Sequence, residues 1–158
     1  EPGARLGVRG AGVYGGARAF RAGGLGPGSG RGAGGAGARG GPVVGIGGGG
    51  LMMWHGGLDT GVRLGLGVLV IVYNDNADGA EVQHFKHETD RLETVTFPET
   101  DIAAIARGYG CEAVTVRDTA DLAPVREWLA GPRTRPLVVD AKIAAFPSWL
   151  LAHSMEHD

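Results

Sequence analysis

The stretch VVGIGGGGLMMW, residues 43–54, joins a short apolar run to four consecutive glycines and a second apolar run. An apolar run that ends in a glycine turn is typical of a buried strand in an α/β protein, where the turn brings the backbone close to a phosphate group. Such turns usually carry one polar residue, and this one carries none. Three interpretations of the turn follow: a phosphate site, a phosphate site that has lost a residue, or a flexible turn.

Strand-like and helix-like segments alternate along the chain after this stretch. Their alternation predicts a mostly parallel sheet with helices on both faces, an α/β fold. The glycine that ends each predicted helix supports the helical interpretation, and Thr119 or Asp121 is the expected cap of the last one. The strand-like runs are VLVIVYN (68–74), EAVTVR (112–117) and PLVVDAKI (136–143), and the helix-like runs are LDTGVRLG (58–65), TDIAAIARGYG (100–110) and TADLAPVREWLAG (119–131).

Residues 1–41 differ in composition from residues 42–158. They hold 17 of the 31 glycines, six arginines and one acid, which gives them a net charge of +5. Because the whole chain has a net charge of −2, the remaining 117 residues must carry −7. Because glycine loses much backbone entropy on folding and buries no side chain, we expect 1–41 to be a largely irregular Gly/Arg-rich segment before a folded domain at 42–158.

The composition of this segment allows three origins. A nucleic-acid-binding tail would carry more aromatic residues than Tyr14 and Phe20, and a transit peptide would hold more than one serine. A GC-rich gene translated in a shifted or degraded frame would yield glycine, alanine, arginine and proline. We favour this last origin, so a nucleic-acid partner is not expected.

Other features of the sequence bear on location and on alternative sites. No apolar run reaches the length of a membrane span, and the single cysteine, Cys111, excludes an internal disulfide, so we expect a cytoplasmic protein without a membrane partner. Cys111 is expected to be a small core residue. His84 and His87 have a spacing that could bind a metal from a helix, but no third ligand is evident and surface histidines are the simpler interpretation.

A second strand exit, YNDNADGAE at residues 73–81, carries several polar side chains. Carboxylate and amide oxygens are ligands that a hard divalent cation prefers, which makes this cluster a candidate metal site. The same residue types also build ordinary turns. Its members are Asn74, Asp75, Asn76 and Asp78, with Gly79 to turn the chain.

The two strand exits together resemble the thiamine-diphosphate-binding motif of the acetolactate synthase, benzoylformate decarboxylase and pyruvate decarboxylase family. In that family a Gly-Asp-Gly turn is followed, some two dozen residues later, by an Asn/Asp pair; here GIGGGG and YNDN stand at these places. FPETDIAAIARGYGCEAVTV and PLVVDAKI match the closing helices and strands. Upstream, AGGLG (22–26) resembles the loop that supports the cofactor, with Gly24 and Leu25 as the expected contacts.

The resemblance implies a cofactor, a metal and a substrate class. Thiamine diphosphate would be bound through Mg²⁺ and through the backbone of the glycine turn, in an enzyme acting on 2-oxo acids. Asp75 would be a side-chain metal ligand, and Ala77 would offer its carbonyl. The remaining expected cofactor-binding residues are Gly47, Gly48, Gly49, Gly50, Asp78 and Gly79.

The resemblance also implies a partner. Family enzymes are several times longer and carry a pyrimidine-binding domain, so this chain would supply half of a site. That half would be completed in a homo-oligomer or by a pyrimidine-binding subunit. The isolated chain is expected to be an inactive part of a lyase or transferase.

Several residues depart from the family pattern. Gly48 stands where the family has a metal-ligating Asp, which should weaken Mg²⁺ binding. Gly56 and Gly57 replace a polar pair at a helix start, and Asp78 replaces a position that is often aromatic but could offer a substitute carboxylate. The sequence therefore supports two hypotheses: the cofactor-binding part of such an enzyme, or a non-catalytic remnant that keeps the fold without a working metal site.

Overall fold

The computed structural model describes residues 13–14 and 42–145. They form a five-stranded sheet in which every neighbouring pair of strands is parallel. The spatial order of the strands is β1-β2-β3-β5-β4. Their bounds are β1 Val13–Tyr14, β2 Val43–Gly47, β3 Leu69–Asn74, β4 Glu112–Val116 and β5 Leu137–Lys142.

Helices connect the strands, as parallel pairing requires. The first of them follows β2 without a loop, so the glycine stretch is the start of a helix and not a flexible turn. A 3₁₀ turn at Thr119–Leu122 precedes the last helix. The helices are α1 Gly48–Trp54, α2 Gly56–Arg63, α3 Gly79–Phe85, α4 Ile102–Gly108 and α5 Ala123–Ala130.

The sheet is covered on both faces, which confirms the predicted fold class. Alternate residues of a strand point to opposite faces, so strands β2, β3, β4 and β5 each contribute to two apolar clusters. One cluster packs strand residues such as Val72 and Val138 against Leu51, Leu58 and Ile102 of α1, α2 and α4. The other packs Leu69, Leu137 and Val139 against Trp128 of α5.

Two predicted helix ends agree with the structure. Asp101 precedes α4, and its side chain accepts a 2.8 Å hydrogen bond from the Ala104 N–H, as a capping residue does. Gly65 follows α2 with φ +60, a left-handed conformation that costs glycine little, and so ends that helix. Leu64 lies exposed at the end of α2.

The expected cap of the last helix, Thr119 or Asp121, is wrong. Asp118 is the capping residue: its side chain accepts from the Ala120 N–H, and Asp121 reaches back to the Asp118 N–H in a capping box. This pair closes a 3₁₀ turn, and α5 starts only at Ala123. Pro124 lies in its first turn, where a missing N–H costs nothing.

The N-terminal segment is described only at Val13–Tyr14, which pairs with Val43–Val44. These two residues are an exception to the irregular structure expected of 1–41, and the division at residue 41 stays a prediction. Gly24 and Leu25 lie outside the described residues. Among those the structure does describe, no helix is both long and apolar enough to cross a membrane.

Candidate functional site

The two strand exits singled out in the sequence lie side by side. Strands β2 and β3 are neighbours, with Gly47 opposite Tyr73, so the residues that follow each strand meet at one edge of the sheet. We call Gly47–Gly50 the glycine turn and residues 74–78 the Asn/Asp turn. In open α/β sheets this carboxyl edge is where ligands bind.

Side chains of the Asn/Asp turn fill the space that the glycines leave. A Cβ atom added to Gly49 would clash with Asp78 Oδ1, so the Asp78 carboxylate packs against the Gly49 backbone. A Cβ added to Gly48 would lie 3.4 Å from Asn74 Oδ1. The two turns are therefore in contact, and this contact could not be read from sequence spacing alone.

Backbone and side-chain hydrogen bonds fix the shape of the Asn/Asp turn. Asn74 Oδ1 accepts from the Asn76 N–H at 3.0 Å, and Asp75 Oδ1 accepts from the Ala77 N–H at 3.3 Å. Asn76 has φ +57, a conformation that asparagine tolerates better than most residues. The Asp78 N–H donates to the Val95 carbonyl at 2.9 Å, which ties the turn to the following segment.

The two acids of this turn interact with each other. Burial raises the pKa of Asp78, and the nearby charge of Asp75 raises it further. Asp75 Oδ2 lies 2.6 Å from where a Cβ of Gly79 would be, so this carboxylate is also packed against glycine backbone. Two carboxylates that repel each other favour a bound cation, which would offset their repulsion.

A buried polar group lies beneath the Asn/Asp turn. Asn74 is 3% exposed, and its Nδ2 donates a 2.8 Å hydrogen bond to Oδ1 of Asp140, which is fully buried. Lys142 Nζ lies 3.1 Å from Asp140 Oδ2 and donates to the Thr100 carbonyl at 3.1 Å. The ion pair offsets the cost of burying the Asp140 charge.

The sequence analysis did not predict the buried ion pair between Asp140 and Lys142. The signal that could have found it is PLVVDAKI, in which an acid and a lysine interrupt a run otherwise typical of a strand buried on both faces. Asp140 and Lys142 also line a pocket of about 300 Å³ beside the ends of β4 and β5. Its other lining residues include Glu99 and Arg117, an exposed ion pair of 2.6 Å.

The remaining candidates contribute no site within 42–145. His84 and His87 are exposed, as expected. Cys111 is buried, with 6% exposed, and burial raises the pKa of its thiol to about 11, which fits the expected core role. Among the described residues, no three His, Cys, Asp or Glu side chains gather where they could hold a metal ion.

The Asn/Asp turn offers the types of oxygen atom that a hard divalent cation binds. Asp75 and Asp78 provide two carboxylates, and Ala77 belongs to the same turn and offers a carbonyl, whereas Gly48 offers no side chain. These are the ligand types that Mg²⁺ takes, completed by water or by a ligand phosphate.

Known proteins share this fold and this region of sequence. The family model "Thiamine pyrophosphate enzyme, C-terminal TPP binding domain" matches residues 11–141. Benzoylformate decarboxylase from Polynucleobacter necessarius is 22% identical with a TM-score of 0.56, covering 64% of this chain and 19% of that chain. The thiamine diphosphate-dependent 4-hydroxybenzoylformate decarboxylase of Rhodococcus jostii RHA1 is 21% identical with a TM-score of 0.58, covering 67% and 20%.

The match therefore spans about a fifth of the length of each of these decarboxylases. No curated protein matches the sequence significantly. At this level of identity the two structures establish the fold, and the family match, which covers most of the chain, establishes the relationship. This chain belongs to the family of C-terminal TPP-binding domains of thiamine pyrophosphate enzymes.

Proposed function

We propose that this domain binds the diphosphate of thiamine diphosphate together with Mg²⁺, as one half of the site of a decarboxylase or synthase that acts on 2-oxo acids. The observation that carries the proposal is the contact between the glycine turn and the Asn/Asp turn, where Asp78 meets Gly49. The family match supports the cofactor. The two similar decarboxylases support the substrate class, because a benzoylformate is a 2-oxo acid.

Each turn has a distinct role in this proposal. Asp75 and the carbonyl of Ala77 hold the cation, and the backbone of the glycine turn lies against the diphosphate. Asn74, fixed by its bond to Asp140, keeps the Asn/Asp turn in place. When bound, the cofactor supplies the carbanion-stabilising chemistry, so the residues of this domain bind and orient it.

A second domain or subunit completes the site in this proposal. Methionines beside the glycine turn support such an association: Met53 is 71% exposed and Met52 is 41% exposed, next to the fully buried Leu51. Exposed apolar side chains of this kind are typical of surfaces that another protein covers. A cytoplasmic location is part of the same proposal.

One observation favours the alternative, a non-catalytic remnant. Gly48 offers no carboxylate to the cation, and a Mg²⁺ site with one charged ligand fewer binds more weakly. In the remnant the fold persists because its two apolar clusters do not depend on the metal. The two functions differ in one measurable property, which is Mg²⁺-dependent binding of thiamine diphosphate.

Titration calorimetry with thiamine diphosphate, with and without Mg²⁺ and with a pyrimidine-binding partner present, tests the proposal. The unmodified chain should bind the cofactor only with Mg²⁺, and Asp75→Asn should weaken this binding by about tenfold or more. Asp90→Asn, which changes an exposed acid outside the turn, should bind as the unmodified chain does. Undetectable binding by all three chains would favour the remnant.

A further inference from the structure

Residues 95–97, which we call the bracing segment, run antiparallel to the Asn/Asp turn. Ala77 lies opposite Thr96 in this pairing. On one side of Ala77, the Phe97 N–H donates a 2.7 Å hydrogen bond to the Asn76 carbonyl. On the other side, the N–H that follows Ala77 donates to the bracing segment at 2.9 Å. Two backbone hydrogen bonds therefore fix the peptide groups before and after one residue of the turn.

These two bonds determine the direction of the Ala77 carbonyl. In a planar trans peptide group the N–H and the C=O point in opposite directions, and no described peptide bond is cis. The Asp78 N–H donates to the Val95 carbonyl, so the Ala77 carbonyl of the same peptide group points away from the bracing segment. Within residues 42–145, no backbone N–H donates to this carbonyl, which leaves it able to coordinate a cation.

The Asp75 carboxylate lies on the same side of the turn as this carbonyl. The Asn76 carbonyl accepts from the bracing segment, so the Ala77 N–H of that peptide group points away from the segment. Asp75 Oδ1 accepts this N–H at 3.3 Å. The carboxylate and the carbonyl that hold the cation in the proposed function therefore face the same way, opposite to the bracing segment.

We propose that the bracing segment orients the Ala77 carbonyl for the cation, so that metal affinity depends on two backbone hydrogen bonds formed on the far side of the turn. This inference rests on the proposed function of the site. Val95 and Phe97 are positioning residues, because they act through the peptide groups of the turn. Since the bonds are made by backbone atoms, metal affinity should respond to the loss of an N–H and not to the loss of a side chain.

Phe97→Pro tests the backbone bond to Asn76. Proline has no N–H, so the 2.7 Å bond is lost. Phe97→Ala is the matched control, because it removes the same aromatic ring and keeps the N–H. With Mg²⁺ alone as the ligand of the full chain, the dissociation constant of Phe97→Pro should be about tenfold higher than that of Phe97→Ala. Phe97→Ala should bind as the unmodified chain does, and equal affinities of the two variants would overturn the inference.

Nuclear magnetic resonance can follow the carbonyl itself. Labelling alanine with ¹³C at the carbonyl and aspartate with ¹⁵N selects two peptide groups of this sequence, Ala77–Asp78 and Ala120–Asp121. Mg²⁺ should shift the Ala77 carbonyl resonance in the unmodified chain and in Phe97→Ala, and should leave that of Ala120 in place. In Phe97→Pro the same shift should need about tenfold more Mg²⁺. A loss of fold stability alone would lower the melting temperature without changing the Mg²⁺ concentration that this shift requires.

The outcomes distinguish this inference from the proposed function. If Mg²⁺ shifts the Asp75 carboxylate carbon but not the Ala77 carbonyl, the metal site stands and the inference is overturned. If neither resonance shifts at any Mg²⁺ concentration, the proposed metal site is refuted and the inference with it.

A second pair of variants serves if Phe97→Pro fails to fold. Asp78→Pro removes the other N–H at a position whose φ of −82 is close to the angle that proline imposes. Asp78→Ala removes the same carboxylate and keeps the N–H. Asp78→Pro should bind Mg²⁺ about tenfold more weakly than Asp78→Ala, and equal affinities would again overturn the inference.

Discussion

Asn74 Nδ2 donates a 2.8 Å hydrogen bond to Asp140 Oδ1 between the ends of β3 and β5, and neither residue has significant contact with solvent. On its other side, Asn74 Oδ1 accepts the Asn76 N–H. A Cβ at Gly48 would lie 3.4 Å from the same oxygen. One buried amide thus connects the charged interior of the sheet to both turns of the candidate site, and the stability of the fold and the shape of the site depend on each other.

Asp140→Asn should strongly destabilise the domain. The substitution leaves the Lys142 ammonium, whose side chain is only 12% exposed, without its opposite charge. Breaking a buried ion pair from one side costs about 3–5 kcal/mol in free energy of unfolding. Urea denaturation measures this loss, and Asp90→Asn, at an exposed position, should change the free energy of unfolding little. A loss as small as that of the control would mean that solvent reaches the pair.

The strands could be predicted from the sequence, whereas the buried hydrogen bond between Asn74 and Asp140 could not. VLVIV and PLVV are apolar on both faces, and such runs identify interior strands of a parallel sheet without knowledge of their neighbours. The bond from Asn74 to Asp140 depends on β3 and β5 being adjacent, a property of strand order that no local pattern contains. Strand β1 was missed because two residues show no periodicity.

In the candidate site too, the sequence indicated some features and not others. Both turns follow apolar strands, and the resemblance to the thiamine-diphosphate-binding motif indicated that they belong together. The approach of Asp78 to Gly49 depends on the path of the backbone between Asn76 and Asp78, with its left-handed residue and its bond to Val95. The capping residue of the 3₁₀ turn was missed for a similar reason, because three acids or hydroxyls within four residues, Asp118, Thr119 and Asp121, allow several local alternatives.

The Cys111 thiol should contribute a pH-dependent part of the stability. Its pKa is raised to about 11 by burial, above the ordinary value of 9.0, so the folded state binds this proton more tightly than the unfolded state. This contribution is fully present below pH 9 and is lost as the pH rises toward 11. Free energies of unfolding measured across this range should fall more steeply for the unmodified chain than for Cys111→Ala. Parallel curves would contradict the assignment.

Thiol-labelling kinetics check the burial of Cys111 separately. With 6% of the residue exposed and the pKa of its thiol raised, an alkylating reagent at pH 8 should react slowly with the folded domain. In urea the reaction should be faster by orders of magnitude. Rapid reaction of the folded domain would place the thiol at the surface.

Gly49→Ala and Gly47→Ala should differ in their effect on cofactor binding. The methyl group added at Gly49 would clash with the Asp78 carboxylate and so would disturb the contact between the two turns on which the proposed site depends. Mg²⁺-dependent affinity for thiamine diphosphate should fall by roughly tenfold or more. Gly47→Ala, with nothing within 4 Å of the new Cβ, is the matched control and should bind as before. Equal losses in both variants would indicate that the diphosphate does not approach Gly49.

Gly48→Asp should strengthen the cation site at the expense of the metal-free fold. The new Cβ would meet Asn74 Oδ1 at 3.4 Å, an ordinary contact, so the side chain has room at its base. Its carboxylate would add a third negative charge to a region that already holds Asp75 and Asp78. In EDTA the melting temperature should therefore fall below that of the unmodified chain, and saturating Mg²⁺ should raise it by a larger amount, because a ligand that binds only the folded state stabilises it. Gly48→Asn provides the neutral comparison and should show neither the loss in EDTA nor the larger gain. If Gly48→Asp responds to Mg²⁺ no more than the unmodified chain does, the glycine turn does not face the cation, and the metal role assigned to this edge of the sheet is wrong.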